Sequence, residues 1–469
     1  MPVNDAPFDL CIRGGTVVTA ADRFEADIGI REGRIAVLAR DLGRAERDID
    51  ATGLLVMPGG VDAHCHIEEP AYRGAMLADD FDSATRAAAC GGTTTIVPFV
   101  NRLEGASMRE SAEDYAARAA ARARIDYAFH MIFGESSIAS IKDELPGLMQ
   151  DGYLSVKVFM NYPGFMLDDE RILDVMETTR RCGGLTMVHA ENGHCVHWLA
   201  NKLAPAPGGN LAEFAATSPA AVEREATHRA ITLAQLSGAR TLLVHVSAAE
   251  AVEQIRWAHA HGIRILAETC PQYLLRTALD LERPGWEAAK FLCSPPLRSK
   301  PDAEQLWRGL QDGTFDIFSS DHCPYRIDGP DGKRAGGPTP HVSHVAPGLP
   351  GLETRLMLLF SEGVGGGRIT PEQFVALTAT NPAKIYGLYP RKGSLMPGAD
   401  ADIVLWDAAE QHVIRHETLH DECDYTPYEG QKIVGRPVMT LSRGECLWNR
   451  GRVSGVPGRG RRIDRGRSP

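Results

Sequence analysis

Apolar and polar positions change rhythm twice along this chain of 469 residues. Near the start, "FDLCIRGGTVVTAADRFEADIGIREGRIAVLAR" breaks its short apolar runs at Gly-Gly, Arg-Phe and Glu-Gly, which predicts a succession of hairpins. The same texture returns in "KGSLMPGADADIVLWD" and "YEGQKIVGRPVMTLSRGECLWNRGRV". Between these regions, compact apolar runs alternate with longer stretches at helical period. The runs are "VMPGGVDAHCHI", "TTTIVPFV", "YAFHMIFG", "YLSVKVFM", "LTMVHAEN", "TLLVHVSA", "IRILAETC" and "FDIFSSDHCP". Helical stretches such as "DDFDSATRAAAC", "DDERILDVMETTRR" and "SAAEAVEQIRWAHAHG" fall between them. Continuous apolar strands suit a parallel sheet covered on both faces. Strands alternating with helices in this way predict an α/β fold, a (β/α)8 barrel over residues 59–390. The two hairpin regions, 1–58 and 391–455, are expected to fold together as one small β-sandwich domain. "APAPGGN", 204–210, reads as a surface loop.

In such a barrel the chemistry lies at the C-terminal ends of the strands. Five of the eight runs end in polar residues: His64-Cys65-His66, Lys157, His189, His245 and Asp321. Successive side chains on a strand point to opposite faces. His64 and His66 therefore share a face, Cys65 turns away, and His322 turns away from Asp321. A single histidine at a strand end is more often structural than a ligand. Four imidazoles and a carboxylate converging on one mouth change that reading. These N and O donors suit zinc or a similar divalent ion, and there are enough of them for two ions. Two cations need a bridging anion, which an amine is not. A lysine in an apolar strand loses its proton more readily than usual. The neutral amine of Lys157 can add CO2, and the resulting carbamate has two oxygens and a negative charge. We therefore expect a carboxylated Lys157 bridging two divalent ions.

Charge and cysteine content narrow the class. The formal net charge of −11 disfavours a nucleic-acid or anionic-membrane partner. The exception is "GRGRRIDRGRSP": residues 459–469 carry five Arg and one Asp, and 456–469 read as a flexible, solvated tail. An arm gripping a neighbouring subunit is the alternative. The ten cysteines show no CxxC pairing, and no apolar run reaches the length of a membrane span. A cytoplasmic protein with reduced thiols is expected.

Taken together, "PGGVDAHCHIEEP", "SVKVFMNY", "MVHAENGH", "LLVHVSAAEA", "AETCPQYL", "CSPPLR" and "SSDHCPY" resemble the cyclic amidohydrolases, the hydantoinases and dihydropyrimidinases, with dihydroorotase and allantoinase as cousins. The resemblance spans roughly residues 8–450. It implies that His64, His66 and Asp321 hold the more buried ion and His189 and His245 the more exposed one. It implies that Tyr162 hydrogen-bonds the developing oxyanion and that the backbone of Ser294 holds the substrate ring. Asp321 would carry a proton from the attacking water to the leaving nitrogen, and metal-bound hydroxide would open the ring. Where hydantoinases have an asparagine after strand eight, this chain has Pro347, whose carbonyl can still serve. Dihydroorotases have an arginine soon after the HxH; here Glu68 and Glu69 stand instead, with Arg73 nearby. The expected substrate is therefore a neutral small-molecule ring, a hydantoin or dihydropyrimidine. The alternatives are a dihydroorotase, an allantoinase, a cyclic-imide hydrolase, or a non-catalytic scaffold relative. A homotetramer is the assembly that the resemblance implies. His194 and His197 are expected on a solvated helix, Glu191 behind His189, and His341 and His344 in a loop, with reach into the pocket as the alternative reading.

Overall fold

The computed structural model describes residues 7–202, 211–342 and 344–466. The loop expected at 204–210 lies outside the described residues. Among those described, the two hairpin regions form one nine-stranded sheet. Phe8–Val18 pairs antiparallel with Arg23–Arg31, and Arg23–Arg31 pairs with Arg34–Ala39. The late strands Ile403–Val413, Lys432–Ser442, Glu445–Asn449 and Arg452–Val453 continue the sheet. The seam between the chain's two ends is Leu55–Pro58 against Ile403–Val413, with Val56 opposite Leu405. Alternation puts Leu10, Ile12, Ile28, Ile30, Val56, Ile403, Leu405 and Leu441 into a single apolar core, so neither end can bury its face without the other.

The middle of the chain builds parallel sheet. Seven strands run in the order Ile317–Phe318, Leu266–Thr269, Thr241–Leu243, Leu185–His189, Ser155–Phe159, His130–Ile132 and Phe99–Val100. Three more, Gly60–Asp62, Thr93–Ile96 and Asp126–Tyr127, form a second parallel sheet. The run "TTTIVPFV" contributes to both, because Pro98 has no N–H for the ladder and breaks it. The Pro98 carbonyl instead accepts from the His130 N–H at 2.9 Å. Cys65 and His322 form a parallel bridge, and the His66 N–H reaches the His322 carbonyl at 2.7 Å. These contacts curl the last strand round to the first.

The helices begin where the sequence supplies caps. Asp80 and Ser83 form a capping box on Phe81–Cys90, Ser107 and Glu110 another on Met108–Arg122. Asp168 caps Asp169–Cys182, which ends on Gly183 at φ +73°, the left-handed conformation suited to glycine. Inside the curled sheet, Val61, Ala63, Phe99, Ile132, Met187, Leu242 and Ile317 pack on one another, and Tyr386, Leu388 and Ile463 close the N-terminal end.

That last contact corrects the sequence reading. Residues 456–466 are not a solvated tail. Ile463 is buried, the Tyr127 N–H bonds the Arg461 carbonyl at 3.0 Å, and the Ile463 N–H bonds the Tyr127 carbonyl at 2.8 Å. Arg462 lies over the Tyr153 ring and Arg459 pairs with Glu445. Arg459, Arg462 and Arg465 are satisfied largely by backbone carbonyls, which composition does not reveal.

Candidate metal centre and substrate cavity

A cavity of about 300 Å³ opens at the C-terminal ends of the parallel strands. His64, His66, Lys157, His189, His245 and Asp321 line it, and so do Tyr162, Ser294 and Pro347. The strand period explains the arrangement. Lys157 faces the cavity while Val156 and Val158 pack outward into the main core. Cys65 likewise turns away into that core, fully buried. His322 turns away from Asp321: its Nε2 lies 3.1 Å from Asp79 Oδ2, and its Nδ1 accepts the N–H groups of Gly351 and Leu352.

The ring nitrogens that face inward crowd one another. Asp321 Oδ1 lies 3.2 Å from His64 Nε2 and 3.5 Å from His66 Nε2. His189 Nδ1 faces His245 Nε2 at 2.9 Å. His64 Nε2 and His245 Nδ1 are buried with no hydrogen-bond partner among the described residues. Behind three of the rings stands a carboxylate. Glu268 is 2.5 Å from His64 Nδ1, Glu69 is 2.6 Å from His66 Nδ1, and Glu191 is 2.6 Å from His189 Nε2. A carboxylate on one ring nitrogen orients the ring and raises the basicity of the other. His64, whose free Nε2 is backed in this way by Glu268, together with His66 and Asp321 offers ligand atoms close enough to share a divalent cation.

The electrostatics agree with that set. Burial pulls Lys157 down to about 8, against the opposing pull of Asp321 and Glu268. Its Nζ lies 5.5 Å from the Phe99 ring centroid and 5.3 Å from that of Phe159. Burial also depresses His66, but Glu69 and Asp321 outweigh it and push the ring up to about 9. Burial, then Lys157, holds His64 and His245 well below the usual imidazole range. Burial pushes Glu268 up to about 7.

Three site residues are held at positive φ: Tyr162 at +71°, His245 at +39° and Asp321 at +49°. Such conformations cost about 1–3 kcal/mol each in non-glycine residues and collect at functional sites. The Tyr162 ring packs against His189 at 4.9 Å, and its hydroxyl meets Ser294. Ser294 Oγ donates to Glu191 Oε2 at 3.3 Å.

Other expectations divide. His194 and His197 are exposed on Gly193–Lys202. Glu191 does stand behind His189. The His341 and His344 rings meet at a tilt of 50° with centroids 5.4 Å apart, and neither lines the cavity. Arg73 Nη1 donates to the carbonyls of Val342 and Val345 at 2.7 and 3.0 Å, so its guanidinium clamps a loop. The sequence reading did not find Glu69 and Glu268 as histidine partners, although Glu268 sits in a quoted motif. It also missed Lys333, a buried ammonium that donates to the carbonyls of Ala289 and Gly348 at 2.6 and 2.8 Å and so ties down the Pro347–Gly348 turn.

Residues 55–447 match the amidohydrolase family. The chain is 42% identical to a D-hydantoinase of Ralstonia pickettii over 459 residues, covering 97% of this chain and 99% of that protein. It is 43% identical to a D-hydantoinase of Streptomyces coelicolor over 457 residues, 96% of each. The crystal structure of a dihydropyrimidinase from Brevibacillus agri superposes with a TM-score of 0.93 at 38% identity, covering 98% of this chain and 99% of that one.

Proposed function

Because the chain belongs to the amidohydrolase family, we propose that it opens a neutral cyclic ureide or imide, a 5-substituted hydantoin or a dihydropyrimidine, by hydrolysis at two divalent ions. One observation carries this reading: four inward-facing imidazoles, Asp321 and a deprotonatable Lys157 crowd one cavity, with a carboxylate behind three of the rings. His64, His66 and Asp321 would hold one ion, zinc by default, and His189 and His245 the other. Lys157, carboxylated by CO2, would bridge them.

When bound, two such ions supply a water acidified to near neutral pH and a pull on the carbonyl oxygen. The protein does the rest. Asp321, exposed to the cavity at 12%, takes the proton of the attacking water and returns it to the leaving nitrogen. The amide C–N bond breaks, a carboxylate forms, and the nitrogen leaves as N–H. Tyr162 donates its hydroxyl hydrogen to the carbonyl oxygen as negative charge develops there. Its positive-φ backbone aims the ring before substrate arrives. The backbone of Ser294 and the carbonyl of Pro347, steadied by Lys333 through Gly348, hold the ring's polar edge. Arg73 is already engaged, which favours a neutral ring over an anionic one.

On this reading the two parallel sheets are one (β/α)8 barrel, residues 1–58 and 391–455 a β-sandwich domain, and the assembly a cytoplasmic homotetramer. No helix among the described residues is long and apolar enough to cross a membrane. The test is a hydrolysis panel of hydantoin, phenylhydantoin, dihydrouracil, dihydroorotate, allantoin and succinimide, with metal measured on the same sample. Turnover of hydantoins or dihydrouracil with two metal equivalents is expected. Preference for dihydroorotate, or metal without turnover of any ring, overturns the substrate assignment. Intact mass of gently handled protein should show one added CO2, absent in Lys157→Ala.

A further inference from the structure

The strands that carry the cavity residues are gripped from their far end by the C-terminal arm. Gly460 N–H bonds the Ala123 carbonyl at 2.8 Å, and Gly466 N–H bonds the Gly387 carbonyl at 2.9 Å. A Cβ at Gly460 would sit 2.1 Å from the Ile125 carbonyl oxygen, so the arm's path is sterically defined. Between these points Ile463 enters the apolar interior beside Val61, Ala63 and Phe99. Arg465 follows and is buried, at 7% exposure. It pairs with no carboxylate among the described residues. Its Nε donates to the Gly152 carbonyl at 3.1 Å, Nη2 to the Phe129 carbonyl at 2.7 Å, and Nη1 to Ser155 Oγ at 2.8 Å.

The third bond continues. Ser155 Oγ lies 2.5 Å from His130 Nδ1, and His130 Nε2 lies 2.9 Å from the Ala63 carbonyl. Chemistry sets the direction at both ends. A guanidinium only donates and a carbonyl only accepts. Ser155 therefore accepts from Arg465 and gives its own hydrogen to His130 Nδ1, and His130 carries its hydrogen on Nε2. The relay ends at the carbonyl of the residue before His64. It passes through Ser155, two positions before Lys157 on the same strand face. The Tyr386 ring packs edge-on against His130 at 4.8 Å and seals the relay from the side.

We propose that Arg465 is a positioning residue for the hydrolytic site, acting through Ser155 and His130 to fix the strands that present Lys157 and His64. The C-terminal arm is then part of the catalytic fold, supplied in cis to the end of the strands opposite the cavity. This rests on the binuclear reading above.

The experiment compares wild type with Arg465→Ala, Arg465→Lys and Ser155→Ala. It measures metal equivalents retained on dialysis, kcat and KM, and hydrogen exchange of amides 155–159. Groups that orient metal ligands typically change metal affinity or activity by about 10–100-fold when removed. Arg465→Ala should lose kcat by about tenfold or more with KM little changed, retain less metal, and exchange amides 155–159 faster. Millimolar guanidinium ion should restore all three by refilling the vacated site, and Arg465→Lys should fall between. Wild-type kcat, metal retention and exchange in Arg465→Ala would overturn the proposal, and so would losses that guanidinium does not reverse. Should Arg465→Ala fail to fold, Ser155→Ala cuts only the relay: a lowered kcat supports the proposal and an unchanged one refutes it. Failure of the binuclear reading is seen separately, as wild type that retains no metal. The exchange rates of 155–159 and their response to guanidinium still decide the role of Arg465 in that case.

Discussion

Two buried lysines separate the two ends of the parallel strands. Where those strands meet the terminal sheet, Lys392 lies 2.6 Å from Asp126, 3.0 Å from Asp400 and 2.8 Å from Asp402. Arg443 pairs with Asp126 and Arg391 with Asp400. Three cations there meet three anions, and although burial opposes it, the carboxylates raise the Lys392 pKa. At the other end Lys157 lies over two aromatic rings, and burial drags its pKa down to about 8. His64 Nε2 and His245 Nδ1 near it have no hydrogen-bond partner among the described residues, and Asp321 Oδ1 stands 3.2 Å from the first. The first cluster satisfies its own charges and serves the fold. The second leaves buried ring nitrogens without a hydrogen bond beside a cavity, with His64, His66 and Asp321 placed to share a cation. Burial of charge alone does not mark a functional site; burial of charge without internal closure does.

The largest effect should come from the open cluster. Asp321→Asn should lower hydrolysis by about 10⁴-fold or more, about 5.5 kcal/mol, while the melting temperature moves little. Substantial turnover in that variant would break the comparison. The closed cluster should respond the other way. Lys392→Ala leaves three carboxylates facing one another and should destabilise the fold by about 3–5 kcal/mol in denaturant titration. Its folded fraction should keep wild-type kcat and metal content; a specific loss of kcat would mean the two ends are not separable. Tyr162→Phe removes a donor used only as the oxyanion forms. A kcat loss of about 10²-fold, with KM nearly unchanged, is expected in steady-state kinetics.

The smallest effect tests the rule at a third place. Burial pushes Asp316 up to about 6 from 3.8, and the Ala267 N–H and His259 only partly offset it. The folded chain then holds a proton that the unfolded chain has released, so this group's contribution to stability falls as pH rises from about 4 through 6. Asp316→Asn should stabilise the protein by about 1–2 kcal/mol at pH 7 and hardly at all at pH 4, measured by denaturation at both values. Equal effects at the two pH values would show that burial does not raise the Asp316 pKa.

Much of this was legible in the chain. Continuous apolar runs with polar ends marked the strands, and strand alternation separated His64 and His66 from Cys65, and Asp321 from His322. Asp80, Ser107 and Asp168 cap helix starts in the structure, a local signal that the sequence reading did not use. What was not legible shares one property. Glu268 serves His64 from 204 residues away, and Arg465 serves Ser155 from 310. Neither partner's own neighbours announce it. The arginine-rich end read as solvated because its acceptors are backbone carbonyls, which every sequence has and none displays. Arg73 read as a possible substrate grip until its bonds to Val342 and Val345 were seen.

The sequence by itself therefore determined which side chains face which side of each strand, because that follows from a local period of two residues. It determined the donor types at the cavity, because those are residue identities. Only the tertiary structure decided which carboxylate backs which imidazole, which buried charges close on themselves, and where residues 456–466 go. Those depend on distances between segments far apart in the chain, and no local pattern encodes such distances.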